Sequence, residues 1–228
     1  MGVFPRIRAV ADHAVLAEFG DTPSDAALAG VRHLDASLSR HPLPGGVESV
    51  PGFAALLVRF DPLVTDHAAV TLALQQRLQA PVVSAAPGRL HRAAVCHDAD
   101  MAPDLDAVAK ACGLTRGEVV DSHLAADYRV VIYGFAPGYA YLSGVPAALH
   151  LPRKPAARRA VPAGSVIIAG AQCLITTLTM PTGWWIIGRS DLRILRDDPN
   201  RPFLFDVGDR VQFHRVAALP GDPSVPGR

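Results

Sequence analysis

Apolar and polar positions alternate along this chain at two different periods, and the change of period divides it. Residues 7–12 and 15–19 are short β-like runs around Asp12-His13, which predicts a hairpin. Thr22-Pro23-Ser24 then opens a helix: Ser24 can cap it, and Leu28, Val31, Leu34 and Leu38 fall near one face. The Pro- and Gly-rich segment 41–46 stops that helix. Residues 47–50 and 54–60 read as two more strands, with Pro51-Gly52 as their turn. Thr65 or Asp66 can cap a second helix running through Gln79, with Val70, Leu74 and Leu78 at four-residue spacing. The predicted order is ββαββα, a small α+β domain over residues 1–84. The Ala-, Pro-, Ser- and Gly-rich stretch 81–88 is the expected linker.

Beyond it, residues 90–96 read as a strand and 103–112 as a helix ended by Gly113. Thr115-Arg116-Gly117-Glu118 has capping-box spacing and starts a short helix carrying Val119, Val120 and His123. After Asp127 the helical period is lost. Runs at 128–134, 164–169, 173–179, 184–188, 192–195 and 210–215 are short and β-like, with Gly and Pro between them. That spacing predicts a closed or sandwich-like β architecture over residues 85–220, followed by a loose tail at 221–228.

Composition narrows the function classes. With 22 basic and 21 acidic side chains, the chain offers no overall field for nucleic acid or an anionic membrane, so any anion site is local. The apolar runs are strand-sized, and the first residues do not read as a signal peptide. Three sparse cysteines with no CxxC spacing fit a reducing, cytoplasmic compartment. Neither usual nucleotide fingerprint is present, nor a GxSxG elbow, nor HExxH. Asp98, Asp100, Asp104 and Asp106 look superficially like a calcium loop, but Ala109 stands where the twelfth-position Glu belongs. They read instead as solvated acids ahead of a helix, and no metal ligand set is expected.

Candidate chemistry gathers in the second half. Gly134, Phe135, Pro137, Gly138 and Tyr139 follow an apolar strand, and their Gly and Pro residues prescribe an unusual backbone path. Such a loop can hold a carboxylate or phosphate on its amides; it can equally be a tight barrel corner with aromatic packing. Arg153, Lys154, Arg158 and Arg159 place four cations on a short loop, suited to carboxylate or phosphate contact or simply solvated. Gln172 offers a donor and an acceptor in a small-residue turn. His123 can act as acid or base, or interact with its helix dipole. Trp184, with Trp185 and Arg189 on the same run, can wall a pocket or fill the core.

Several segments occur in a recognisable order. They are 134–144, Pro152-Arg153-Lys154, Val161-Pro162-Ala163-Gly164-Ser165, Ile168-Ala169-Gly170, Gly183-Trp184 and Ile187-Gly188-Arg189. With segments 46–51 and 57–62, and His123 ahead of Tyr128, they resemble the family of allophanate hydrolase subunit 1, the B-type component of 5-oxoprolinase and KipI-type kinase inhibitors. The resemblance runs from about residue 8 to residue 216. There are departures: Cys173-Leu174-Ile175-Thr176 where the family often has Thr-Gly-Ile-Tyr, Thr182 in the usual Pro-Gly-Gly-Trp, and Ile167 where Gly often stands.

The resemblance implies a C-terminal cyclophilin-like β-barrel after the α+β domain. It implies a homologous partner, of the subunit 2 type in allophanate hydrolase or the C type in 5-oxoprolinase. In the 5-oxoprolinase system a third, A-type protein joins them. That system opens 5-oxoproline to glutamate with ATP hydrolysis, so ATP belongs to the complex. The expected role is therefore a non-autonomous, cytoplasmic enzyme component acting on a small molecule. His123, Arg153, Lys154 and Gln172 are its expected catalytic groups. Gly134, Phe135, Pro137, Gly138, Tyr139, Trp184 and Arg189 are its expected substrate contacts. No nucleophile is assigned. A urea carboxylase-type carboxyltransferase component and an inhibitor of a sensor histidine kinase are the alternatives.

Overall fold

A computed structural model of the chain describes residues 4–79, 88–98 and 100–219. It divides into two compact units, Met1–Ala86 and Pro87–Arg228. Most of the expected linker at 81–88 and all of the expected tail at 221–228 lie outside the described residues.

In the first unit, β1 (Arg6–Ala11), β2 (Ala14–Glu18), β3 (Gly46–Pro51) and β4 (Ala55–Phe60) form an antiparallel sheet in the order β1-β2-β4-β3. Helices α1 (Asp25–Arg40) and α2 (His67–Leu78) begin where their caps allow. Ser24 Oγ accepts from the Ala27 amide at 3.1 Å, and Asp66 Oδ1 from that of Ala69 at 2.8 Å. Leu28, Val31, Leu34 and Leu38 are buried as the helical period demands. Val31, Leu34 and Leu38 pack with Val15, Ala17, Leu56, Val58 and Phe60 of the sheet. The expected ββαββα order is the observed one.

The second unit is a barrel. Its strands are β5 (Leu90–Val95), β6 (Tyr128–Tyr133), β7 (Ala140–Ser143), β9 (Ser165–Ala169), β10 (Gln172–Ile175), β12 (Trp185–Arg189) and β13 (Arg210–Arg215). They lie in the order β12-β9-β10-β7-β6-β13-β5, with β13 and β5 parallel and the other neighbours antiparallel. The two edges meet. Cys96 N donates to Arg189 O at 2.8 Å, and Arg189 N to Cys96 O at 2.9 Å, which nearly closes the sheet into a cylinder. A ribbon of β8 (Arg158–Val161) and β11 (Met180–Thr182) lies apart from that sheet. Helices α3 (Leu105–Cys112) and α4 (Arg116–Ala125) contribute Leu105, Val108, Val119 and Val120 to the barrel core. Gly113 ends α3 in a left-handed conformation, and the Thr115–Glu118 capping box is complete.

Two departures have physical reasons. The run at 192–195 is not a ladder strand: only Leu195 pairs, in a single bridge to Phe203. Strands β7, β8 and β11 are only 4, 4 and 3 residues long, too short for a period of two to stand out. Among the described residues no helix is long and apolar enough to cross a membrane.

The seam has one steric requirement. A Cβ at Gly188 would lie 2.7 Å from Val95 Cγ2 and 3.0 Å from Cys96 O, between the two strands that must meet. Gly188→Ala is expected to destabilise the barrel by about 1–3 kcal/mol, as overpacking does, read as a lower urea midpoint at unchanged slope.

Candidate functional site

Strand β9 is buried at all five positions, so both of its faces are covered. Val166 and Ile168 point into the barrel core, as do Cys173, Ile175 and Ile187. Ile167, Ala169, Leu174 and Ile186 belong to a second cluster with Tyr139, Val161 and Trp184. Alternation along three neighbouring strands therefore builds two apolar layers from one sheet. The second layer carries a cleft of about 120 Å³. It is lined by Ile167 and Leu174 from the sheet, by Tyr139, Tyr141 and Trp184, and by Phe135, Arg153 and Pro181-Thr182-Gly183.

The rim is aromatic and cationic. Tyr141 and Trp184 meet edge to face at 5.9 Å between ring centroids. The Arg153 guanidinium carbon lies 5.8 Å from the Trp184 ring centroid, within cation–π range. Arg153 is exposed and makes no ion pair among the described residues. Phe135 is 77 % exposed and has φ of +72°, a strained conformation for a non-glycine residue. Tyr139 donates its hydroxyl to the Met180 sulfur, and burial pushes its phenol up to about 12, so it stays protonated.

The structure thus gathers four of the expected site residues, Phe135, Tyr139, Arg153 and Trp184, around one cleft. Gly134, Pro137 and Gly138 shape its loop. Gly134 N donates to Tyr139 O, Pro137 O accepts from Thr177 Oγ1 at 2.7 Å, and Gly138 takes φ of +72° against Leu195. The other candidates lie elsewhere. Lys154 Nζ is 2.6 Å from Asp104 Oδ2, and its side chain is 11 % exposed. Gln172 opens β10 and pairs with Ser143 and Ala169. Arg189 lies at the barrel seam, with its Nε buried and without a hydrogen-bond partner among the described residues. Of the departures from the family pattern, Ile167 and Thr182 line the cleft, whereas Cys173 faces the barrel core.

His123 is fully buried. Its Nδ1 shares a 2.6 Å hydrogen bond with the Tyr128 hydroxyl, and its ring stacks at a tilt on Phe213, 4.5 Å between centroids. Burial, with the neighbouring His97, pushes its imidazole down to about 3. His97 is also buried and shifted down by desolvation; its Nδ1 lies 2.7 Å from Ile187 O. His123 is therefore a neutral core residue tying α4 to β6, not a surface acid or base. Sequence reasoning did not name Tyr141 as a site residue, whereas Ile167, Leu174 and Thr182 stand among the departures from the family pattern that were expected near the pocket. The alternation of Ile167 against Val166 and Ile168 is the signal that assigns Ile167 to the outer layer.

The carboxyltransferase domain, subdomain C and D, matches residues 5–205. The chain belongs to that family. The B-type component of 5-oxoprolinase from Bacillus subtilis (strain 168) is 32 % identical over 234 residues, covering 95 % of each chain. The carboxyltransferase-domain chain is also similar to the solved structure of TTHA0988, at 32 % identity and a TM-score of 0.80. That likeness covers 96 % of this chain and 41 % of TTHA0988. The Kluyveromyces lactis urea amidolyase shares the fold, with a TM-score of 0.72 at 19 % identity, over 92 % of this chain and 15 % of the amidolyase.

Within this carboxyltransferase-domain chain the cleft can bind and orient. Its lining holds no carboxylate, imidazole, thiol or amine, so the hydroxyls of Tyr139, Tyr141 and Thr182 have no general base among the lining residues. Among the described residues no three His, Cys, Asp or Glu side chains are placed to hold a metal.

The buried histidine generates a pH prediction. In the folded chain His123 titrates at about 3, against an ordinary 6.5. Between those values the unfolded chain binds a proton that the folded chain refuses, so stability falls as pH falls. The Tm is expected to drop on acidification from about pH 7 to about pH 5, and His123→Phe is expected to flatten that drop. An equal pH slope in both proteins would count against this assignment.

Proposed function

We propose that this chain is the B-type component of a heteromeric, ATP-dependent 5-oxoprolinase. In this reading it works beside a homologous C-type partner and an A-type protein. The observation that carries it is the cleft: an uncompensated Arg153 laid on Trp184, over an apolar floor of Ile167 and Leu174. 5-Oxoproline is a flat five-membered lactam with one carboxylate. The guanidinium suits the carboxylate, the aromatic walls suit the ring, and Thr182 supplies a polar edge for the amide. The names of the similar B-type 5-oxoprolinase components support the same substrate.

Size and chemistry support the division of labour. A space of about 120 Å³ is well below the roughly 300–1,000 Å³ of pockets that take drug-sized ligands, so this cleft suits the lactam and not a nucleotide. ATP handling belongs to the rest of the complex. The lining carries no base to activate its hydroxyls, so in this reading the component holds and orients the lactam while hydrolysis draws on groups from its partners.

The test is reconstitution. The chain is co-expressed with its A-type and C-type partners, and glutamate formed from 5-oxoproline and ATP is measured. Turnover that needs all components supports the reading; none from a folded, assembled complex sinks it. Arg153→Ala is expected to raise the KM for 5-oxoproline about tenfold or more, with the Tm unchanged because the side chain is exposed. Arg153→Lys is expected to recover only part of the loss, since a point charge cannot reproduce bidentate contact.

A further inference from the structure

Asp104 occupies the N-cap position of α3, where a carboxylate ordinarily accepts from the first helical amides, yet it makes no capping bond. Its Oδ2 instead takes Lys154 Nζ at 2.6 Å and the Ile186 amide at 2.9 Å. The Asp104 amide donates back to Ile186 O at 3.1 Å, so residue and strand are clamped at two points. The loop that carries Lys154 is joined to the same strand region twice more. Lys154 N donates to Gly183 O at 2.6 Å, and Trp185 Nε1 to Pro152 O at 2.8 Å.

The clamp sorts neighbouring side chains by face. Arg153 and Trp184 stack on each other at the cleft. Lys154 and Trp185 do the same on the other side, with Lys154 Nζ 5.9 Å from the Trp185 centroid and bonded to Asp104. Asp104 does not line the cleft. We propose that Asp104 is a positioning residue: by holding Lys154 and the Ile186 amide together it fixes the Arg153–Trp184 pair in its ligand-binding arrangement. It also neutralises the second of two adjacent cations, leaving Arg153 as the carboxylate anchor. The link to 5-oxoproline rests on the function proposed above; the positioning itself does not.

Trp184 and Trp185 are the only two tryptophans in the sequence, which makes the clamp directly observable. The chain is labelled with 5-fluorotryptophan and followed by fluorine NMR. Arg153→Ala identifies the Trp184 resonance as the one it shifts. Asp104→Asn is expected to shift or broaden that Trp184 resonance although Asp104 lies outside the cleft lining. An unmoved Trp184 resonance in folded Asp104→Asn overturns the proposal. Should that variant not fold, Lys154→Met removes the same bond and is read in the same way, with Lys154→Arg expected to restore the native position.

The second arm is kinetic, in the reconstituted complex. Asp104→Asn is expected to raise the KM for 5-oxoproline about tenfold while kcat stays within about twofold, the signature of lost binding geometry. A fall in kcat at constant KM counts against positioning. If the wild-type complex turns over no 5-oxoproline, the substrate assignment fails, and the fluorine spectra still decide whether Asp104 holds the pair.

Discussion

Two backbone hydrogen bonds between Cys96 and Arg189 turn an open seven-stranded sheet into a near cylinder. Without them β5 and β12 would be exposed edges, each presenting unpaired amides and carbonyls. With them, β12 is held on one side by β9 and at its end by the residue following β5. Trp184, which lines the cleft, immediately precedes that strand, and Trp185 and Ile186 open it. The seam tolerates little beside it, as the close approach of Gly188 to Val95 and Cys96 shows. Arg189 thus acts first through its backbone.

Closing the sheet also gives it an inside and an outside, and alternation fills both. Val166, Ile168, Cys173, Ile175 and Ile187 pack the interior, while Ile167, Leu174 and Ile186 pack outward with Tyr139 and Trp184. Each full burial of an aliphatic side chain contributes about 1.5–3 kcal/mol. The outer layer is therefore a second core and not incidental coverage. A ligand site on that layer inherits a rigid floor from strands whose other face is locked in the barrel. This is how a cleft at the surface can hold aromatic walls at fixed angles without a deep cavity.

Much of the fold was legible because its signals are local. Ser24, Asp66, Thr115 with Glu118, and Gly113 each mark a helix end within four residues of the group they serve, and all are observed. The site was legible only in part, because its decisive pairings span the chain. Lys154 and Asp104 are 50 residues apart, and Ile186 and Asp104 are 82 apart. Read locally, Asp104 is a solvated acid ahead of a helix, and Lys154 is one of four loop cations. Likewise His123 carries the right functional group for acid–base chemistry. Its burial against Tyr128 and Phe213 depends on strands that follow it in the chain, and that burial holds the ring neutral and outside the cleft lining.

The contrast between Arg153 and Lys154 shows what the buried pair is for. Lys154 and Asp104 are 11 % and 14 % exposed, so both lose much of their hydration. Their attraction offsets that cost but leaves little net stability, which is the usual balance for a buried ion pair. Its value lies in geometry. Asp104 Oδ2 is shared with the Ile186 amide, so the pair ties a cationic loop to the strand that presents Trp184. Removing Asp104 would leave the Lys154 ammonium buried without its carboxylate, whereas removing Lys154 would leave Asp104 with the Ile186 amide and Arg158 at 4.0 Å. Arg153, one residue earlier, stays exposed on an aromatic face and makes no ion pair among the described residues. One cation is consumed by the scaffold so that its neighbour can be held ready for an anion.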